Sequence, residues 1–402
     1  MRDRVQQLAD DVFPEVVRLR RQIHRHPELA FDEHQTARLV KDTLDSLEDV
    51  TLRTGVAGTG IVATLTGEKD GPASLLRADM DALPITEDTG RDFASENEGA
   101  MHACGHDAHT ALMLGAAMVL SKMRDQLAGT VRLLFQPSEE KLPGGAKAMI
   151  EDGALASHDH GPAPEAVFGQ HVAPDLESGH IGVRSEMYMA SADEIYVRVQ
   201  AEGGHAAAPH ELEGDAVVAA AHVVTALQSI VSRHGPPGTP SVLTIGHVET
   251  PGGATNVIPE TVRLEGTFRT MDEDWRARAH ALIERVAGRT AEAHGATAEA
   301  QVVAGYPALY NHPGETKFVR EAAYDYVGPE RTADLDRWYA GEDFAYYLQK
   351  RPGAFYRLGT RGDSPATAHG LHTARFDIDE EALRAGAGFM AFLALRYGHA
   401  HR

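Results

Sequence analysis

The sequence predicts an α/β protein carrying an inserted ferredoxin-like βαββαβ domain, and three observations lead there. Short apolar runs of strand length alternate with helical patterns in the first half of the chain, the signature of a sheet containing parallel strands. Polar residues suited to chemistry follow several of those runs immediately. From about Ala190 the pattern changes to half-buried alternation with two long helices, and it reverts near Tyr310.

Val5, Leu8, Val12, Val16, Leu19 and Ile23 recur at helical spacing, so the chain opens on an amphipathic helix. That helix ends near His24-Arg25-His26-Pro27, because proline disfavours helix in the residue before it. Gly60–Leu65, Ser74–Leu76, Thr130–Phe135 and Ala166–Phe168 read as buried strands, and Ala111–Leu120 as a buried helix. In the middle segment Glu194–Gln200 alternates as a strand, followed by a helix over Asp215–His234. Strands over Ser241–His247 and Val257–Thr267, a helix over Asp272–His294 and a strand over Ala298–Val303 complete the βαββαβ order. The predicted boundaries are 1–188, 189–304 and 305–402, the outer two forming one domain. Arg375–Asp379 is expected to start a C-terminal helix.

Three strand ends deliver candidate ligands. Ser74–Arg77 runs into Asp79-Met80-Asp81, Val131–Phe135 into Gln136-Pro137-Ser138-Glu139-Glu140, and Ala166–Phe168 into Gly169-Gln170-His171. In open α/β sheets the ligand site lies beyond the carboxyl ends of the strands. The loop Met101–His109 adds the only cysteine, three histidines and an aspartate. Cys104 and His106 also suit a small buried thiol and a helix-capping histidine. Their spacing, with carboxylates at the strand ends, favours a metal. Two adjacent carboxylates at such a centre can divide roles, one ligating and one taking a proton from water, which makes Glu139-Glu140 a candidate pair. Gly203-Gly204-His205 and Thr255-Asn256-Val257 sit in irregular segments of the inserted domain and suit either turns or a site.

Composition sets limits. The chain has 402 residues, 43% hydrophobic and 24% charged, enough for roughly two or three domains with real cores. A net charge of −21 argues against a nucleic-acid partner, since a phosphate backbone demands a basic face. One cysteine excludes an internal disulfide and fits a reducing compartment. The N-terminal segment has no apolar signal-like core, and no unbroken apolar stretch approaches the ~18 residues of a membrane span, so a cytoplasmic protein with no membrane partner is expected.

Taken in order, the motifs resemble the peptidase M20 family of metal-dependent amidohydrolases, in particular the branch with hippurate hydrolases, N-acyl-amino-acid deacylases and auxin-conjugate hydrolases. They run from His24–Leu29 through Arg77–Pro84, Cys104–His109, Gln136–Glu140, Gly203–His205 and Gly341–Phe344 to Leu371-His372. The resemblance implies a zinc-peptidase-like α/β catalytic domain with an inserted lid and dimerisation domain. It further implies two divalent metal ions (manganese, zinc, cobalt or nickel) held by Cys104, His106, Glu140, His171 and His372. Glu139 matches the catalytic base and Asp81 the aspartate supporting the centre, while Asp79 occupies the place of a histidine ligand elsewhere in the family. His205 and Asn256 match residues that steady the tetrahedral intermediate, and Arg269 is a candidate for the substrate carboxylate. Lys141-Leu142-Pro143 departs from the family pattern after Glu140, with consequences expected for substrate choice.

The implied activity is hydrolysis of N-acyl amino acids (N-acetyl, N-benzoyl or similar) or short peptides by a homodimer formed through the inserted domain. The alternatives are a dipeptidase or aminopeptidase on the same scaffold, an amidase using Cys104 as nucleophile with His106 or His109 as base, and a non-catalytic binding protein.

Overall fold

The computed structural model describes residues 1–159 and 161–401. Two compact units share the chain, the first built from 1–186, 310–336 and 343–402 and the second from 187–309 and 337–342.

The first unit is organised by a mixed eight-stranded sheet. Edge to edge it runs Val50–Val56, Gly60–Thr66, Ala128–Gln136, Lys69–Asp79, Ala166–Glu177, Gly353–Arg361, Ile181–Val183 and Thr332–Asp334. Its four central strands, Ala128–Gln136 through Gly353–Arg361, are mutually parallel. The antiparallel pairs lie toward the flanks. Central strands such as Ala128–Gln136 are buried along their whole length, as the continuous apolar runs require. The helix Arg2–Arg25 buries the predicted stripe Val5, Val12, Val16, Leu19 and Ile23, and Arg20 with it. The helix His106–Ser121 is buried all round, so no amphipathic period marks it. The C-terminal helix begins only at Ala382, later than expected. Asp377 and Asp379 are held in a non-helical segment, where Asp377 pairs with Arg20 and Arg91 and the Asp379 N–H bonds the Thr360 carbonyl.

The second unit carries a four-stranded antiparallel sheet in the order Ser241–Glu249, Thr261–Thr270, Asp193–Gln200, Thr297–Val303. With the helices Ala216–Ser229 and Glu273–Ala293 this is a ferredoxin-like sandwich. Each helix starts on an aspartate cap. Asp215 accepts the N–H groups of Val217 and Val218, and Asp272 accepts that of Trp275.

The expected single strand over Val257–Thr267 is broken. Val257–Ile258 leaves the sheet to pair with Gly204–His205, and Pro259, which lacks an N–H, falls at the break. Among the described residues, one helical segment, Ala216–His234, is long and apolar enough by length and composition to cross a membrane, although polar residues interrupt its apolar run. Its residues Ala216, Ala219, Ala220, Val223, Leu227 and Ile230 pack in the core of the second unit.

Candidate metal centre

The strands Lys69–Asp79, Ala128–Gln136 and Ala166–Glu177 run parallel in the sheet, so their carboxyl ends deliver side chains to the same side. Asp79 and Asp81 come from the first, Glu139 and Glu140 follow the second, and His171 lies on the third. The Cys104 loop reaches them by a tight turn. Gly105 has φ +85°, and a Cβ there would lie 2.5 Å from Val172 Cγ2, so only glycine lets the loop pass so close and start the helix at His106. The segment carrying His372 is fastened to that loop, its backbone N–H donating to the Ala103 carbonyl at 2.8 Å.

Cys104 belongs to two clusters of possible ligands at once. One comprises Cys104, His106 and His171, the other Cys104, Glu140 and His372, and in each the ligating atoms lie within 4.8 Å of one another. A further cluster joins His106 to Glu139 and Glu140. Cys104 Sγ lies 3.4 Å from His171 Nε2, and His372 Nε2 lies 3.2 Å from Glu140 Oε1.

Tautomers follow from the partners. His171 donates from Nδ1 to the Val172 carbonyl at 2.8 Å, and His106 donates from Nδ1 to the Asp81 carbonyl at 2.8 Å. A carbonyl only accepts, so in both rings Nε2 is the nitrogen left to bind a metal. His109 is different. Its Nδ1 donates to Asp79 at 2.6 Å and its Nε2 accepts the Val172 N–H at 2.9 Å. Both nitrogens are committed, which removes His109 as a ligand and as a base for Cys104.

The electrostatics suit cations. Among the described residues, His106 Nε2 is buried without a hydrogen-bond partner, an arrangement a metal satisfies and an apolar packing role does not. Burial lowers the pKa of His106, but Asp79, Asp81 and Glu140 outweigh it and push the value up to about 10. The field that draws a proton to Nε2 equally draws a metal ion. Burial, reinforced by Glu140, Glu139 and Asp79, pushes the Cys104 thiol well above its usual range. A nucleophilic cysteine needs the opposite shift, whereas a bound cation deprotonates a coordinating thiol outright.

Asp81 does not face a ligand position. Its Oδ1 accepts the N–H of Glu139 and its Oδ2 that of Glu140, both at 2.9 Å, and Oδ1 lies 3.2 Å from His106 Nδ1. Asp79 is equally committed, to His109 through Oδ1 and to Arg77 through Oδ2 at 2.6 Å. Burial raises its pKa, yet Arg77, His106 and His109 hold it well below the usual carboxylate range.

Arg77 extends this support to Gln136 at 2.9 Å and to Asp343 at 2.7 Å, and Asp343 in turn accepts the Ala146 N–H at 2.9 Å. Arg77, Gln136 and Asp343 lie within the sequence motifs but have no role assigned from sequence; Arg77 and Gln136 are polar side chains inside otherwise apolar buried strands. The turn after Glu140 is closed by Gly145, where a Cβ would lie 1.8 Å from the Pro137 carbonyl oxygen.

His205, Asn256 and Arg269 belong to the second unit. The bridge between His205 and Val257, with the Ala206 N–H donating to the Asn256 carbonyl at 3.0 Å, sets Asn256 beside the His205 strand. His205 Nδ1 accepts the Ala207 N–H at 3.0 Å, so Nε2 carries a proton and is a donor. Arg269 donates to the Tyr339 carbonyl at 3.0 Å.

The sequence profile of Peptidase family M20/M25/M40 matches residues 75–396. An N-acetyl-L-cysteine deacetylase of Bacillus subtilis is 40% identical over 377 residues, 94% of this chain and 86% of the relative. An N-acyl-L-amino acid amidohydrolase of Geobacillus stearothermophilus is 41% identical over 311 residues, 77% of this chain and 82% of the relative. Among solved structures, the Bacillus subtilis YXEP protein, described as a dinuclear metal binding peptidase from the M20 family, superposes with a TM-score of 0.82 at 34% identity, covering 97% of this chain and 99% of its own. The chain is a hydrolase and belongs to peptidase family M20.

Proposed function

We propose that this protein hydrolyses the amide bond of N-acyl amino acids at a two-metal centre held by Cys104, His106, Glu140, His171 and His372. The observation that carries the proposal is the sharing of Cys104 between the His106/His171 and Glu140/His372 clusters, with Glu139 beside them. The deacetylase and amidohydrolase relatives support the substrate class. Bound there, divalent cations polarise an amide carbonyl and make water more acidic.

The chain's own residues do the rest. Glu139, buried and fixed through its backbone by Asp81, takes the proton of the attacking water and returns it to the leaving amine. His205, from Nε2, and Asn256, from its amide, donate hydrogen bonds to the developing oxyanion. Arg269 binds the substrate carboxylate, a match for a planar guanidinium. Lys141, exposed directly after Glu140, biases the choice of acyl group.

Turnover of N-acetyl and N-benzoyl amino acids, set beside dipeptides, tests the substrate class. Hydrolysis of the acylated compounds at higher kcat/KM supports it, and a preference for free-amino dipeptides turns the protein into a dipeptidase.

A cytoplasmic homodimer formed through the second unit completes the reading. The edge strand Ser241–Glu249 with exposed Val242 and Val248, and exposed Val217 and Val218 on the neighbouring helix, support that surface as the contact. Sedimentation at micromolar concentration checks it, a monomer being the contrary result.

A further inference from the structure

Arg20 is a fully buried charge that the mechanism leaves unused. It lies on the helix Arg2–Arg25 among Val16, Leu19 and Ile23 and is 1% exposed. A guanidinium in such a place is tolerated only when its donors are all answered. Nε donates to Asp107 Oδ2 at 2.8 Å, Nη2 to Asp377 Oδ1 at 2.9 Å and Nη1 to Glu380 Oε1 at 3.2 Å.

The places of two of these partners matter. Asp107 follows His106 and stands in the first turn of its helix. Asp377 closes the segment that carries His372, which is itself pinned to the Cys104 loop at Ala103. One guanidinium therefore ties together the two chain segments that supply ligands to both clusters sharing Cys104. Among the described residues Asp107 Oδ1 has no hydrogen-bond partner, while Oδ2 accepts from Arg20 and pairs with His24 Nδ1, both at 2.8 Å. Remove Arg20 and the carboxylate beside His106 loses its principal counter-charge.

We propose that Arg20 is a positioning residue for the metal centre, fixing the Cys104–His106 loop and the His372 segment in mutual register through Asp107 and Asp377. The proposal rests on the two-metal reading above. The plainer alternative is a buried ion cluster that contributes to stability alone. Lysine tests the difference, because a single ammonium cannot span three carboxylates as the guanidinium fork does.

The experiment titrates metal-free protein with Co²⁺ and follows the thiolate-to-cobalt charge-transfer absorption that Cys104 would give. It compares wild type with Arg20→Lys and with the isosteric Asp377→Asn, after circular dichroism has verified each fold. The expected result is cobalt affinity lowered about 10–100-fold, with a shifted or weakened thiolate band. Variants that bind cobalt within about twofold of wild type, with an unchanged band and only a lower melting temperature, overturn the proposal; if Arg20→Lys does not fold, Asp377→Asn decides alone. A wild-type protein that binds cobalt without the thiolate band, or binds none, instead removes the metal reading beneath it.

Discussion

Asp81 Oδ1 accepts the backbone N–H of Glu139 at 2.9 Å. The other oxygen does the same for Glu140, and Oδ1 also lies against His106 Nδ1. One carboxylate therefore orients the proposed base, one carboxylate ligand and one imidazole ligand. Asparagine keeps one acceptor and puts an NH₂ against an N–H. Asp81→Asn is expected to cost about 10–100-fold in metal affinity or kcat, read from metal content and turnover; wild-type values for both would mean that Asp81 only fills space.

Glu139 and Glu140 are neighbours with different tasks. Glu139→Gln preserves shape and removes the proton acceptor, so turnover should fall by at least about 100-fold while metal content stays near wild type. Loss of metal from this variant would move Glu139 from base to ligand.

In the second unit, His205 presents an Nε2–H donor because Nδ1 is occupied by the Ala207 N–H. His205→Ala should lower kcat by about 100-fold, the ~3 kcal/mol typical of an oxyanion donor, with little change in KM. A change confined to KM would make His205 a ground-state binding residue.

Acid should weaken the second unit through Asp193. Burial raises the pKa of this carboxylate, but hydrogen bonds from His280 and Arg276, with the Arg276 charge, overcome that and hold it below the ordinary value. A depressed carboxylate contributes stability that is fully present above its unfolded pKa, ~3.9. That stability is lost as pH falls through the lower folded value. Asp193→Asn leaves the Arg276 charge buried with less compensation, so it should cost about 3–5 kcal/mol at pH 7. The gap from wild type should shrink near pH 3, as urea unfolding at the two pH values would reveal. A gap independent of pH would show that the carboxylate charge is not what matters.

The site was readable where chemistry follows a strand directly. Asp79, Asp81, Glu139, Glu140 and His171 each stand at or just beyond a buried apolar run, and strand period locates such ends without knowledge of pairing. The supports behind them were not readable. Arg77 reaches Asp343 across 266 residues and Arg20 reaches Asp377 across 357, contacts that no local pattern encodes. Arg20 sits on the apolar stripe of an amphipathic helix, where an arginine looks like a simple interruption. Pro259 was visible, but the pairing of Val257–Ile258 with Gly204–His205 depends on a tertiary partner. Likewise the late start of the C-terminal helix reflects the ion pairs of Asp377, which override a local helical tendency.

The most direct test removes the metal and returns it. Purified protein would be assayed on N-acetyl and N-benzoyl amino acids as isolated, after chelation and dialysis, and during titration with Mn²⁺ or Zn²⁺, with bound metal counted at each point. Activity should vanish with the metal and return as the ratio approaches about two per chain, the number expected if Cys104 is shared between two ions. Full activity in the metal-free protein, abolished by thiol alkylation, would contradict this and return Cys104 to the role of nucleophile.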